Sequence, residues 1–227
     1  MYKPDFSLSS FSTLRSSLFV ALAVAALLWF WMFSPWTAGI TNFWITMAVA
    51  GVSLTTMALL FSPEVRTGVR TLFRRYTLRA LLGQLLLGVA LAALMWGIFW
   101  VGDKLSTLWF SFARPQVDSI YAMKHGLPPA VIALLLLFVI GPAEELFWRG
   151  YVQRTLAAHV GVDGAFVLTA AVYTLVHVWS MNFMLIMAAL VAGGVWGLLY
   201  RLRPSLLPAL IVSHAIWDAC VFVVFPI

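Results

Sequence analysis

Long apolar runs separated by short polar joints are the feature that most restricts how this chain can fold. A helix of about 20 apolar residues crosses the hydrocarbon core of a bilayer, and seven runs of roughly that length occur in the sequence of 227 residues. They lie near residues 17–33, 40–62, 80–102, 128–157, 164–180, 182–200 and 205–225. The pattern predicts an all-α, polytopic bundle of about seven transmembrane spans that forms one compact membrane domain.

The composition excludes the soluble classes of protein. Hydrophobic residues make up 63% of the chain and charged residues 10%, against about 45–50% and about 25% in soluble domains. The apolar runs leave no stretch for a separate water-soluble domain. We therefore expect an integral membrane protein whose surroundings are the lipid bilayer.

The net charge of +6 fits membrane topology better than nucleic-acid binding, because the basic residues lie between apolar runs and form no single patch. Alternating the spans places Lys104, Arg114 and Lys124 on one side and the remaining 11 of the 14 lysines and arginines on or toward the other. Basic loops tend to face the cytoplasm. We expect a cytoplasmic amino terminus and no nucleic-acid partner.

The joint "SPEVRTGVRTLFRRYTLRA" has a helical period. Arg66, Arg70 and Arg74 recur every four residues. Apolar side chains gather on another face of the same helix, at Val65, Val69, Leu72, Phe73 and Tyr76. This pattern predicts one interfacial amphipathic helix, although a charged joint that follows membrane topology explains the arginines equally well.

Ionisable side chains interrupt the apolar runs in three places. They are Glu144, Glu145 and Arg149 in the fourth run, His177 in the fifth, and His214 with Asp218 in the seventh. From a turn near residue 160, Glu144 and His177 are about 16 and 17 residues away, or ~25 Å at ~1.5 Å per residue. From Arg203, His214 and Asp218 are about 11 and 15 residues along, or ~17 and ~23 Å. The three places share a depth, and they form one site if their helices are neighbours.

The spacing within each helix predicts which side chains share a face. Glu145 and Arg149 are four residues apart and lie on one face of a helix. The same holds for His214 and Asp218. Glu144 points about 100° away from Glu145, so that one carboxylate can face a cavity while the other pairs with Arg149.

A cost in free energy argues that these groups lie inside the bundle. An Arg or Asp at the centre of a membrane helix costs roughly 2.5–3.5 kcal/mol, so exposure to lipid is excluded. A purely structural cluster explains Glu145 with Arg149, but it does not explain the additional glutamate and two histidines at the same depth. Pro142 lacks an N–H and predicts a kink just before the acids.

Three short sequences, "EELFWR", "YTLVH" and "HAIWD", occur in that order on separate predicted helices. Together they resemble the signatures EExxxR, FxxxH and HxxxN or HxxxD of the CPBP family, the CAAX-protease and bacteriocin-processing family of intramembrane glutamic endopeptidases. The resemblance covers about residues 128–225. It divides the chain into residues 1–127, which are transmembrane helices and loops without an assigned role, and residues 128–227, a CPBP-like catalytic core.

The resemblance implies a role for each matching residue. Glu144 would be the general base that activates a water, with His177 assisting it. His214 and Asp218 would stabilise the oxyanion at the scissile carbonyl. An orienting pair, Glu145 with Arg149, would complete the site. Neither a metal nor another cofactor is implied.

Two residues depart from the family signatures. Tyr173 stands in place of a phenylalanine, which keeps an aromatic wall, and its hydroxyl can join the network. Asp218 stands in place of the commoner asparagine. An ionised aspartate cannot donate to an oxyanion, so Asp218 must be protonated, orient His214 or bind another group.

The resemblance implies an intramembrane endopeptidase that hydrolyses a peptide bond of a membrane-associated protein or peptide. A chain this small resembles the prokaryotic members, which implies the plasma membrane. Three alternatives stay open: a zinc-dependent membrane protease using the same residues, although no HExxH occurs; a non-proteolytic peptide-binding or bacteriocin-immunity protein; and a proton-coupled transporter, although no inverted repeat is visible. The sequence indicates neither the substrate nor the oligomeric state.

Overall fold

The computed structural model describes residues 8–75 and 77–227, and within these ranges the chain is helical and contains no strand. The α-helices of this part are α1 (Leu8–Phe33), α2 (Phe43–Phe61), α3 (Pro63–Arg75), α4 (Leu78–Trp109), α5 (Ala113–Ala122), α6 (Pro129–Leu135), α7 (Gly141–Glu145), α8 (Arg154–Val176), α9 (Phe183–Leu202) and α10 (Leu207–Ala219). π-Helical turns occur at Leu136–Ile140, Leu146–Gln153 and Cys220–Val224, and 3-10 turns at His177–Ser180 and Pro204–Leu206. The predicted all-α class is confirmed.

Six helical segments of the described chain are long and apolar enough to cross a membrane. They are Ser16–Phe33, Phe43–Phe61, Leu78–Trp109, Pro129–Ser180, Phe183–Leu202 and Pro204–Val224. The fourth has 52 residues, so as one straight helix it would be ~78 Å long at ~1.5 Å per residue. That is more than twice the ~30 Å thickness of the hydrocarbon core.

Gly161 breaks this long segment. Its backbone angles, φ 76° and ψ 169°, belong to a region that residues with a Cβ atom rarely adopt. Beyond the break the chain turns back on itself. This is shown by the hydroxyl of Tyr173, which donates a hydrogen bond of 2.9 Å to Oε2 of Glu144 on the other side of Gly161. The segment thus supplies the predicted fourth and fifth spans, and the predicted polytopic bundle of about seven spans is confirmed.

The helices that carry the ionisable residues pack against one another. Helix α10 contacts α4, α7 and the π turn before α7, while α8 contacts α9 and the π turn after α7. At the α7–α10 contact the backbones approach closely, since a Cβ atom on Gly141 would lie 2.7 Å from the Cα of Ala215. Helix α1 contacts α2 and the His177–Ser180 turn. The first half of the chain therefore packs directly on the region of the predicted core.

The predicted amphipathic helix is α3. Val65 is buried and Val69 is half-buried, whereas Arg66 and Arg70 are exposed. Some residues in the predictions of amphipathicity and topology lie outside the described side chains, namely Lys3, Arg15, Leu72, Phe73, Arg74, Arg75 and Tyr76. The placement of α3 at the membrane interface stays a prediction.

Much of the outer surface of the bundle is apolar. On α4 alone, Leu82, Leu86, Leu94 and Leu108 are exposed. Exposed leucines of this kind need no protein partner when acyl chains surround them. The apolar surface and the six long apolar helices identify an integral membrane protein.

Candidate active site

Two π-helical turns, Leu136–Ile140 and Leu146–Gln153, flank α7 and its two acids. The sequence predicts a kink at Pro142, which has no N–H to donate. The chain forms a π turn directly before this residue, and the N–H of Gly141 bonds to a carbonyl five residues earlier. Such turns are uncommon in helices and frequently occur at functional sites.

A buried ionic network lies on the side of α7 that faces α9 and α10. Oε1 of Glu145 accepts a hydrogen bond of 2.8 Å from Nη1 of Arg149 and lies 2.8 Å from Nδ1 of His214. Nη2 of Arg149 donates to the carbonyl of Gly193 at 3.3 Å. Glu145 and Arg149 are 0% and 1% exposed. The opposite charge of Arg149 and two hydrogen bonds to Oε1 offset part of the desolvation of the carboxylate, whose Oε2 is buried without a hydrogen-bond partner.

The imidazole of His214 is fixed on three sides. A carboxylate only accepts hydrogen bonds, so Nδ1 of His214 carries the proton that it shares with Glu145. Nε2 then faces Oδ2 of Asp218 at 3.4 Å. The ring stacks on the indole of Trp196 with centroids 4.0 Å apart, and the Trp196 N–H is held by Oγ of Ser213 at 3.2 Å. Of the two ring nitrogens, Nε2 is therefore the one that can form a hydrogen bond to a reacting group.

Glu144 is separate from this ionic network. Its Oε2 accepts the hydrogen bond of Tyr173, and the guanidinium of Arg149 lies 5.1 Å from the centroid of the Tyr173 ring. Glu144 is 7% exposed and borders a cavity. The two adjacent acids thus have different surroundings: Glu145 is enclosed by cationic and N–H groups, and Glu144 faces open space.

Protein groups engage both ring nitrogens of His177. Nδ1 lies 2.7 Å from the carbonyl of Tyr173, one turn earlier, and Nε2 accepts a hydrogen bond of 3.2 Å from Nε1 of Trp29. Trp29 belongs to α1, 148 residues away in the sequence. The histidine side chain is 6% exposed and borders the same cavity as Glu144.

The cavity has a volume of about 340 Å³, which is within the range of small-ligand sites. Its polar wall includes Glu144, Tyr173, His177, His214 and Asp218. Most of the remaining wall consists of aromatic, aliphatic and methionine side chains from α1, α2, α4, α5 and α9. A peptide bond that entered here would meet carboxyl and imidazole groups in a mainly apolar chamber.

Helix α5 closes part of this chamber. Asn182, at the start of α9, donates to the carbonyl of Gln116 and to Oγ of Ser119, each at 2.9 Å. The side chain of Gln116 accepts from the N–H of Met184 at 3.0 Å. These bonds attach the connection between α4 and α6 to α9 and place apolar residues of α5 in the cavity wall.

All seven site residues proposed from the sequence lie in one connected region. Glu144, Tyr173, His177, His214 and Asp218 border the cavity, and Glu145 with Arg149 lies behind them. Sequence reasoning missed two contacts of the histidines, Trp29 on His177 and Trp196 on His214. The chain contains 11 tryptophans, and nothing in their spacing distinguishes these two from indoles that anchor helices at the membrane surface.

The arrangement of the ionisable side chains also bears on metal binding. Within ranges 8–75 and 77–227, no group of three or more His, Cys, Asp or Glu side chains is arranged to hold a metal ion. His214 and Asp218 are close to each other. Glu145 is bonded to Nδ1 of His214, and the Trp29 N–H is bonded to Nε2 of His177.

Comparison with protein-family models identifies a related family. Residues 125–220 match the family described as Rce1-like, type II CAAX prenyl endopeptidase. This match confirms the CPBP resemblance. The seven site residues all lie within the matched CPBP region. Neither a comparison with curated proteins nor one with solved structures gives a match.

The match to this family indicates the general activity. The Rce1-like description and the apolar helices together indicate a membrane-embedded peptidase of the CAAX-protease type. The match ends near Cys220 and begins near His125, so α1 to α5 lie outside it. Trp29 and much of the apolar cavity wall therefore come from the part of the chain that the family model does not cover.

Proposed function

We propose that the protein is an intramembrane endopeptidase in which Glu144 activates a water to hydrolyse a peptide bond of a membrane-associated protein or peptide. One observation carries the proposal: Glu144 faces the cavity beside two histidines, while the adjacent Glu145 is tied to Arg149 and His214. A general base must lie within reach of the proton that it removes. Glu144 has this freedom and Glu145 does not.

The proposed reaction begins at Glu144. Tyr173 holds Oε2, and the carboxylate accepts a proton from a water in the cavity while the water oxygen forms a bond to the scissile carbonyl carbon. The C=O double bond opens to an oxyanion. When the tetrahedral intermediate collapses, the C–N bond breaks and the proton held by Glu144 passes to the leaving amine. The carboxylate is then restored, and an acid and an amine are released.

The oxyanion is assigned to His214 and Asp218. With Nδ1–H of His214 committed to Glu145, the ring donates to the oxyanion when Nε2 is also protonated, that is, as a cationic imidazolium. Asp218, 3.4 Å from Nε2, orients the ring, or donates itself when protonated. A donor aimed at a developing oxyanion is worth about 2.7–4 kcal/mol in the transition state. Arg149 holds Glu145 in place and thereby positions His214.

The experiment compares Glu144→Gln with Glu64→Gln. Both replace a carboxylate by an amide of the same size, and Glu64 is an exposed residue of α3, so it serves as the matched control. Membrane and secreted peptides of cells producing wild type or either variant are compared by quantitative proteomics. The expected result is a set of products that disappears with Glu144→Gln and persists with Glu64→Gln.

Kinetics on an identified substrate then test the mechanism. Loss of a general base lowers kcat about 10²- to 10⁴-fold, with the protein still folded and monodisperse in detergent. Unchanged cleavage by Glu144→Gln refutes the mechanism, and an unchanged cellular phenotype favours the peptide-binding or immunity alternative. Activity lost to a chelator and restored by zinc would favour the zinc-dependent alternative.

The location and the substrate class belong to the same proposal. The distribution of basic residues supports a cytoplasmic amino terminus. The resemblance of so small a chain to prokaryotic members of the family supports a prokaryotic plasma membrane. Peptides that differ only in a prenyl group on a carboxyl-terminal cysteine would show whether hydrolysis requires a lipidated substrate. Cleavage of both forms at equal kcat/KM would point to ordinary membrane proteins or peptides.

A further inference from the structure

The hydrogen bonds of His177 define its protonation state. A backbone carbonyl only accepts, so Nδ1, which lies 2.7 Å from the Tyr173 carbonyl, carries a proton. An indole N–H only donates, so Nε2, which faces Trp29 at 3.2 Å, presents its lone pair. His177 is therefore neutral and in a single tautomer. A doubly protonated ring would direct a second N–H at the N–H of Trp29.

Trp29 is well placed to hold this arrangement. Its side chain is 1% exposed, and its ring is fixed by an edge contact with Trp148, with centroids 6.0 Å apart and planes at 88°. Phe33, one turn further along α1, also contacts the His177 ring, with centroids 5.5 Å apart. Phe33 offers packing without a hydrogen bond. Helix α1 thus makes two contacts with His177, and Trp29 supplies the directional one.

We propose that Trp29 is a positioning residue of the active site, whose indole N–H holds His177 neutral and in one ring orientation beside Glu144. The inference rests on the proposed function, because His177 borders the same cavity as Glu144. It gives the first half of the chain a part in the reaction. Both ring nitrogens of His177 are bonded to protein groups, so the ring acts through its fixed place in the cavity wall and not through proton transfer.

Trp29→Phe is the variant that tests this proposal. It keeps an aromatic ring in α1 and removes the N–H, which leaves Nε2 of His177 without its donor. A buried acceptor left unpaired predicts a decrease in kcat of about 5- to 100-fold, with KM changed by less than about twofold. Trp31→Phe is the control, because Trp31 lies on the same helix and donates its N–H to Thr41 at 3.1 Å, on the exposed side. Its kcat is expected to stay within about twofold of wild type.

A double-variant cycle separates positioning from general damage. If Trp29 acts through His177, adding Trp29→Phe to His177→Ala causes no further decrease in kcat. Decreases that multiply would overturn the inference. So would a Trp29→Phe protein with wild-type kcat while Glu144→Gln is inactive, and this outcome leaves the proposed function intact.

A spectroscopic measurement does not depend on activity. In protein labelled with ¹⁵N-histidine, the signals of His177 are those that disappear in His177→Ala. The wild type is expected to show a protonated Nδ1 and an unprotonated, hydrogen-bonded Nε2, with the Nε2 signal moving in Trp29→Phe and not in Trp31→Phe. A protonated Nε2 in the wild type overturns the inference, even if Trp29→Phe does not fold.

Discussion

Replacing Arg149 by leucine would leave Glu145 as a buried carboxylate without its cationic partner. Arg149 donates at 2.8 Å to Oε1 of Glu145 and at 3.3 Å to the carbonyl of Gly193, and His214 would be the remaining partner of the acid. Removing one member of a buried ion pair costs about 3–5 kcal/mol. Because net stabilities are about 5–15 kcal/mol, Arg149→Leu should remove about a fifth or more of the free energy of unfolding.

The measurement is reversible unfolding in mixed micelles, followed by circular dichroism. Arg201→Leu is the matched control, because Arg201 pairs with Asp163 at an exposed position, where the side chains are 30% and 73% exposed. An exposed ion pair is worth about 0–1 kcal/mol, so this variant should unfold almost as the wild type does. Equal losses for the two variants would refute the argument from burial.

A double variant tests whether the uncompensated charge is the cause. Adding Glu145→Gln to Arg149→Leu removes the buried charge, while the amide oxygen can still accept from His214. The double variant should therefore be more stable than Arg149→Leu alone. If it is no more stable, lost packing explains the effect of Arg149→Leu and the electrostatic reasoning fails.

Two further predictions concern the polar wall of the cavity. Tyr173→Phe removes the 2.9 Å hydrogen bond to Glu144 but keeps the ring, so kcat should decrease by about tenfold or less; a complete loss of cleavage by folded protein would mean that the hydroxyl takes part in the chemistry. Asp218→Asn can still orient His214 and can donate from its amide, so kcat should stay within about tenfold of wild type, whereas Asp218→Leu should lose the oxyanion contribution of about 2.7–4 kcal/mol. Equal kcat values for the two Asp218 variants would exclude Asp218 from the oxyanion site.

The structure also places the first half of the chain at the site, which the family comparison does not. Residues 1–127 carry no family signature, and the match begins at residue 125. Nevertheless, α1 supplies Trp29 to His177, and residues of α2, α4 and α5 form part of the cavity wall. Substitutions in these helices are therefore the place to look for changes in substrate preference that leave the ionisable cluster intact.

The sequence alone determined the properties that follow from one helix at a time. The lengths of the apolar runs predicted the spans. The fixed rise of the α-helix predicted that Glu144, His177 and His214 lie at one depth, without knowledge of which helices are neighbours. The i, i+4 spacing predicted the contact between Glu145 and Arg149 for the same reason. These properties are local, because a helix sets its own rise and period without reference to its neighbours.

Only the tertiary structure decided which helices meet and which atoms share a proton. One oxygen of Glu145 bonds to both Arg149 and His214, and His214 lies 69 positions away in the sequence. Trp29 donates to His177, which lies 148 positions away. The lipid-facing and partner-facing sides of an apolar helix both exclude water, so hydrophobicity alone does not distinguish them. A hydrophobic pattern therefore determines the depth of a side chain in the bilayer. The packing of the whole bundle determines which side chains are its neighbours.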